Sequence, residues 1–146
     1  MTPEQNAYVK TLATREEIFE HVAKHLKSQD ARSMQGKPYG DGVRCAYRGA
    51  GDRMCAVGCL IADDEYDPHT EGLSVTDLGS ERRFPVPRPI MLPERLVPHL
   101  HMIQTFQELH DFATSWHDEG GLSREGKAKL RDLRSYWLEG VNPYER

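Results

Sequence analysis

Apolar residues recur at helical spacing in three parts of the chain. The first follows Thr14-Arg-Glu-Glu17, a sequence in which the threonine hydroxyl and the glutamate three residues on cap each other's amides. The apolar stripe behind it comprises Ile18, Phe19, Val22 and Leu26. This pattern predicts a helix that runs to about Gln29.

Two further helices are predicted in the last third of the chain. Pro98 suits the first turn of the earlier one, and Gly120-Gly121 ends it. Ser123 caps the later one, which Gly140 and Pro143 close. Their apolar stripes comprise Met102, Phe106, Leu109, Ala113 and Trp116 in the first, and Leu130, Leu133 and Trp137 in the second.

Between the first and second helices, residues 43–61 favour a β-hairpin. Val43 to Arg48 reads as a short strand, and the glycines of Gly49-Ala-Gly-Asp52 supply a tight turn. The chain would return through Cys55. The run Ala56-Val-Gly-Cys-Leu-Ile61 fits either a strand or a short helix, and its alanine and glycine favour the short buried helix.

These elements predict an α+β fold: a short β-hairpin packed with three or four helices in a single domain, residues 1–146. Residues 1–13 are weakly patterned, so we expect them to be poorly ordered. Residues 84–93 contain four prolines and predict an extended arm lying across the domain.

Composition excludes several classes of protein. The formal net charge is −4, which argues against a general nucleic-acid binder. No apolar run reaches the length of about 20 residues needed to cross a bilayer, and the amino terminus does not resemble a secretion signal. The three cysteines are an odd number. We therefore expect a cytoplasmic protein with reduced thiols and no cofactor.

The cysteines are the first candidates for chemistry, although buried core thiols are their commonest interpretation. A hairpin would place Cys45 opposite Cys55, with Cys59 one helical turn further on, and His69 would supply a fourth zinc ligand. Alternatively, Cys55 at a helix start would be a catalytic thiol with a lowered pKa. The seven histidines lie mostly on polar helix faces, and we expect them to be solvated.

Tyr47-Arg48-Gly49, at the predicted hairpin tip, is the candidate ligand- or partner-binding site. An arginine beside an aromatic ring and a glycine turn binds a carboxylate or phosphate through forked hydrogen bonds, although Arg48 would also pair with the acidic run after Ile61. Arg83 and Arg88 add a small basic cluster suited to an acidic patch on a partner. The acidic run itself is interpreted as a solvated edge; it comprises Asp63, Asp64, Glu65, Asp67 and Glu71.

The central segment resembles a group of small, mostly uncharacterised proteins of bacteriophages, prophages and bacteria. The shared residues are Tyr47-Arg48-Gly49, Cys55-Ala56-x-Gly58, Leu60-Ile61-x-Asp63 and Tyr66, with Glu71-Gly72 and Leu109-His110 also similar. Ala50 and Ala62 stand where the group favours proline. The resemblance covers about 30 residues and implies a phage accessory protein in the bacterial cytoplasm, for instance one that counters host defence.

Three function hypotheses follow. The favoured one is a non-enzymatic protein that binds a host protein or sequesters a small anionic ligand, because no catalytic motif accompanies the arginine-bearing turn. The alternatives are a cysteine-dependent enzyme using Cys55 and a small zinc-stabilised module. The sequence indicates no membrane partner and argues against a nucleic acid.

Overall fold

Helices form most of the regular structure in a computed structural model that describes residues 1–36, 43–78 and 92–142. The helices and strands are α1 Pro3–Val9, α2 Arg15–Ser28, β1 Met34–Gly36, β2 Val43–Cys45, α3 Val75–Leu78, α4 Leu100–Asp111 and α5 Arg124–Leu138. Short 3₁₀ helices span Ala50–Asp52, Gly58–Leu60, Asp63–Glu65, Pro68–Thr70, Glu94–His99 and Ala113–Ser115. The predicted proline arm, residues 84–93, lies largely outside the described residues, as do Arg83 and Arg88.

The predicted α+β class is wrong, because the protein is mostly helical. The hairpin expected around Gly49 does not form: a 3₁₀ turn at Ala50–Asp52 leaves a single bridge between Arg48 and Met54. Gly51 and Asp52 both have positive φ, but after Met54 the chain enters the buried turn that leads to Gly58–Leu60 and does not extend the ladder. β2 pairs instead with β1, antiparallel and over three residues.

Helices α2, α4 and α5 enclose the core. Both predicted caps are confirmed: Thr14 and Glu17 form the capping box of α2, and Ser123 accepts from the amide of Gly126 at the start of α5. The rings of Phe19 and Phe106 meet with centroids 4.8 Å apart. The stripe residues within α2 and α4 are buried, and in α5 Leu130 is buried whereas Leu133 and Trp137 are only partly covered.

Helix α1 lies where the sequence pattern indicated poor order. Thr2 and Gln5 form a second capping box, and Val9 and Leu12 beyond it are buried. The spacing Thr-x-x-Gln is a signal that was available in the sequence. In the described parts of the chain, every helix is too short or too polar to span a lipid bilayer.

Helix α4 ends five residues earlier than its apolar stripe predicts, at Asp111 rather than Trp116. Phe112 adopts an extended conformation with φ −76° and ψ 126°. A 3₁₀ turn follows, and Trp116 then pairs with Leu122 in an isolated bridge. Because the chain leaves the helix here, the Phe112 side chain is 57% exposed although it continues an apolar stripe.

The central segment, residues 45–73, lies across the middle of the fold. The alternative of a short buried helix after Cys55 is confirmed, since Gly58–Leu60 forms a buried 3₁₀ turn. A Cβ atom on Gly58 would overlap the carbonyl oxygen of Tyr47. The chain therefore requires glycine here to bring the two halves of the segment together.

Candidate functional site

Tyr47, the first residue of the predicted binding tip, is a buried structural residue. Its side chain is 6% exposed, and its hydroxyl donates to the carbonyl of Leu73 at 2.5 Å. Gly49 beside it has no room for a Cβ, which would overlap the Ser33 hydroxyl. Both residues pack against neighbouring segments of the chain and do not face solvent.

Arg48 directs its guanidinium group at acceptors within the protein. Nη2 donates to the carbonyl of Ile61 at 2.6 Å and lies 3.3 Å from the Asp63 carboxylate, while Nη1 contacts the Met54 sulfur. Cζ lies 5.3 Å from the centroid of the Tyr66 ring. The arginine thus joins four parts of the central segment, and its side chain is only 19% exposed.

An anion does sit at the predicted tip, but it belongs to the protein. The Glu71 carboxylate accepts hydrogen bonds from the backbone amides of Tyr47 at 2.8 Å and Arg48 at 3.1 Å. It also accepts from the Tyr66 hydroxyl at 2.6 Å. Burial, and then this carboxylate, raise the pKa of Tyr66. The backbone amides of Tyr47 and Arg48 at the predicted tip are therefore occupied by Glu71.

The acidic run is largely paired, although Asp63 and Asp64 are exposed, as its interpretation as a solvated edge predicts. Glu65 receives a forked pair of hydrogen bonds from Arg95, at 2.6 and 2.9 Å. Asp64 pairs with Lys10, and Asp63 with the amino terminus as well as with Arg48. These pairs attach the amino-terminal helix to the central segment.

Cys55 and Cys59 are fully buried, and their thiols lack the features of a nucleophile. Burial raises the pKa of Cys55 to about 12, although the amides of Gly58 and Val57 act in the opposite direction. The expected effect of a helix start is thus present but smaller than the cost of burying a charge. Burial also raises the pKa of Cys59, whose thiol donates to the Ala56 carbonyl at 3.1 Å.

The predicted zinc ligands Cys45, Cys55, Cys59 and His69 do not come together. His69 is exposed and lies 2.9 Å from Asp67. Among the described residues, the group that brings potential ligand atoms within 4.8 Å of one another is Cys45, His110 and Asp111.

His110 does not fit the role of a metal ligand in that group. Its Nε2 accepts the backbone N–H of Ser33 at 2.9 Å, so the proton lies on Nδ1, which contacts Asp111 at 2.8 Å. Coordination through Nδ1 would leave both ring nitrogens without a proton. Burial, then the Asp111 charge, raise the pKa of Cys45 to about 11.

Three of the histidines serve the fold rather than facing solvent, which corrects the expectation for them. His110 is fully buried, and His21 and His25 are partly buried. The Nε2 atoms of His21 and His25 lie 2.9 and 2.7 Å from the carbonyls of Cys59 and Met54. A carbonyl requires a donor, so both rings carry the proton there. Burial lowers the pKa of each imidazole.

A surface groove between α4 and α5 presents more aromatic and charged side chains to solvent than the predicted tip does. We call it the aromatic groove; its volume is about 770 Å³. Phe112 and Tyr136 line it and are 57% and 47% exposed. Trp137 stands between them and the core, its indole N–H donating to the Thr105 hydroxyl at 3.1 Å. The charged or titratable side chains that line the aromatic groove are Arg15, His99, His101, Glu108, Lys129 and Asp132.

Sequence reasoning missed the aromatic groove because its residues read as parts of two core stripes. Trp137 does follow the apolar stripe of α5, but Tyr136 falls outside it. A tyrosine on the polar face of a helix, next to a tryptophan, is a signal that was available in the sequence.

No protein-family model matches this chain, and no similar protein was found among curated proteins or solved structures.

Proposed function

We propose that this protein is a non-enzymatic binding protein that engages another protein through the aromatic groove. The supporting observation is the exposure of Phe112, directly after α4, and Tyr136, on α5, in the lining of one groove. Large exposed aromatic side chains are enriched where proteins bind each other, because they bury much area at low entropic cost. The remaining exposed large apolar residues among those described are Tyr8 and Val141, and Val141 adjoins Asn142 of the groove.

The resemblance of the central segment to phage and bacterial proteins extends this proposal. It favours a host protein as the partner, the bacterial cytoplasm as the compartment, and interference with host defence as the purpose. A small anion bound at Tyr47-Arg48-Gly49 has less support, because such a ligand would have to displace Glu71 from the same amides.

A cysteine-dependent enzyme also has less support than a binding protein. Thiol profiling at neutral pH separates the two hypotheses, because a catalytic thiolate reacts much faster than a buried thiol. We expect Cys55 and Cys59 to resist iodoacetamide in the folded protein and to react once it is unfolded. Rapid alkylation of Cys55 in the native state would favour the enzyme.

The direct test compares wild-type protein with the double variant Phe112→Ser, Tyr136→Ser. Each is immobilised and exposed to a bacterial lysate, and any protein retained by the wild type is identified, purified and titrated against both. We expect the double variant to bind that protein at least tenfold more weakly, a loss of about 1.4 kcal/mol.

Tyr8→Ser is the matched control, because Tyr8 is 56% exposed on α1 and does not line the aromatic groove. It should bind as the wild type does. Equal binding by the double variant and the wild type, or an equal loss in Tyr8→Ser, would remove the aromatic groove from the proposal.

A further inference from the structure

We infer that the segment received by the aromatic groove is basic: an arginine-bearing, otherwise apolar stretch of the partner protein. This inference rests on the proposed function and specifies the chemistry of its partner. It is based on which charged groups of the groove already have partners within this chain.

The groove's two permanent cations are already engaged with its aromatic rings. Lys129 Nζ lies 4.6 Å from the centroid of the Phe112 ring, and Arg15 Cζ lies 5.8 Å from that of Trp137. Arg15 also donates to the Trp137 carbonyl at 3.4 Å. These contacts show that the ring faces lie within reach of cations, which the negative face of an aromatic ring attracts.

The groove's two carboxylates have no such partners. Neither Glu108 nor Asp132 makes a side-chain hydrogen bond or ion pair with any other residue in ranges 1–36, 43–78 and 92–142. Asp132 is nevertheless partly buried in the groove wall. A cation bound here would give Asp132 the partner that it lacks within the described residues.

Several other carboxylates of the fold are paired, whereas Asp118, which has no side-chain partner among the described residues either, is exposed in a turn. Glu20 pairs with Arg134, Asp30 with Arg53, and Glu65 with Arg95. The two cations of the aromatic groove thus contact groups of this chain, Lys129 also lying 3.8 Å from Glu125, whereas its two carboxylates have no partner among the described residues; pairing those carboxylates favours a positive ligand.

Arginine suits this site better than lysine. Its planar guanidinium stacks on aromatic rings and forms two parallel hydrogen bonds to one carboxylate. Its apolar stem would also cover the exposed edge of Tyr136. We therefore expect an arginine between Asp132 and Glu108, with neighbouring apolar side chains against Phe112 and Tyr136.

The test uses three fluorescein-labelled synthetic peptides of about 12 residues that share the same leucine positions, about three helical turns. The remaining positions are arginine in the first, glutamine in the second and glutamate in the third. Fluorescence anisotropy with wild-type protein should give affinity at least tenfold higher for the arginine peptide than for the glutamate peptide. Raising NaCl from about 50 to 500 mM should weaken it.

Asp132→Asn is the diagnostic variant, and Asp118→Asn is its control with the same change in net charge. Asp118 lies in the turn before Gly120 and does not line the groove. We expect Asp132→Asn to weaken the arginine peptide at least fivefold and Asp118→Asn to leave it nearly unchanged. If Asp132→Asn alters the thermal melting curve, the affinity of Glu108→Gln for the arginine peptide is measured in its place.

Each contrary outcome has a separate meaning. Equal losses in Asp132→Asn and Asp118→Asn would show general attraction to an acidic protein and overturn the inference. Equal or tighter binding of the glutamine or glutamate peptide, lost in Phe112→Ser, Tyr136→Ser, would also overturn it but leave the aromatic groove as the docking site. If none of the three peptides binds, a basic segment is excluded as the ligand. Whether the aromatic groove is a docking site at all is tested separately, by titrating the partner from the lysate against Phe112→Ser, Tyr136→Ser.

Discussion

Arginines, aromatic rings and carboxylates occur both in the central segment and in the aromatic groove, but their partners differ. In the central segment, Arg48 contacts Ile61, Asp63 and Tyr66, and Glu71 accepts three hydrogen bonds from its neighbours. In the groove, by contrast, Asp132 and Glu108 have no such contact with the described residues, and two aromatic rings face outward. The comparison teaches that a segment rich in charged and aromatic residues marks a binding site only where some of those side chains have no partner within the fold.

The largest effect is expected from adding one methyl group to the central segment. Gly58→Ala should lower the free energy of unfolding by about 3 kcal/mol or more, because its Cβ would overlap the Tyr47 carbonyl oxygen and the backbone cannot yield easily. Urea titration measures the change.

The control for that variant is Gly140→Ala. Gly140 has φ 68° but open space around it, so its cost should be limited to about 1 kcal/mol of backbone strain. Equal losses in the two variants would show that the central segment is not tightly packed around Gly58.

The sequence predicted helices better than it predicted the hairpin, for a local reason. The caps at Thr14 and Ser123 and the stripes behind them depend on residues within one or two turns. The hairpin depended on which neighbouring segment Val43–Cys45 pairs with, and Met34–Gly36, on its amino-terminal side and at a similar separation in sequence, supplies the partner. Turn residues at Gly49–Asp52 are compatible with both a hairpin and the observed 3₁₀ turn.

The candidate site was harder to predict because it depends on which side chains remain exposed and unpaired in the folded protein. The backbone amides of Tyr47 and Arg48 do bind an anion, but no local pattern indicates that this anion is Glu71, more than 20 residues away in sequence. Likewise, the exposure of Phe112 depends on the chain leaving α4 at Asp111. At that break the Asp111 carbonyl accepts a hydrogen bond from Arg32, which lies far away in sequence.

The second-largest effect separates a structural arginine from a ligand-binding one. Arg48→Ala should cost about 2 kcal/mol of unfolding free energy, because it leaves the Ile61 carbonyl and Asp63 without a charged donor. Peptide binding in the aromatic groove should be unchanged. The sequence alone favours the opposite outcome, with stability retained and binding lost.

Arg131→Ala is the matched control for Arg48→Ala, since Arg131 lies exposed on α5 and exposed charges contribute about 0–1 kcal/mol. If Arg48→Ala melts like the wild type and loses an identified partner, the binding site returns to the central segment.

A smaller effect should appear in the dependence of stability on pH. Burial lowers the folded-state pKa of His25 and His21 below the ordinary imidazole value. The folded protein therefore binds fewer protons than the unfolded chain on acidification. The stabilising contribution is complete above about pH 6.5 and is lost as pH falls through the lowered folded pKa.

His25→Gln tests this, because glutamine can still donate to the Met54 carbonyl but does not titrate. Between about pH 7.5 and pH 5.5, the unfolding free energy of this variant should decline less steeply than that of the wild type. His69→Gln, at an exposed histidine, should keep the wild-type slope. If the unfolding free energy declines equally steeply with pH in all three proteins, burial against the central segment does not lower the pKa of His25.

The smallest effect on stability, and the sharpest contrast with the central segment, is expected in the aromatic groove. Tyr136→Ser should change the unfolding free energy by less than about 1 kcal/mol, because Tyr136 is 47% exposed and contacts the Trp137 ring edge-on at 4.8 Å. A residue that contributes little to folding while exposing an aromatic ring is what a docking surface requires. Thermal melts and urea titration of Tyr136→Ser and Arg48→Ala, run together, measure the difference. If Tyr136→Ser destabilises the protein as much as Arg48→Ala does, its ring belongs to the architecture. The groove would then lose the observation that distinguishes it from the central segment.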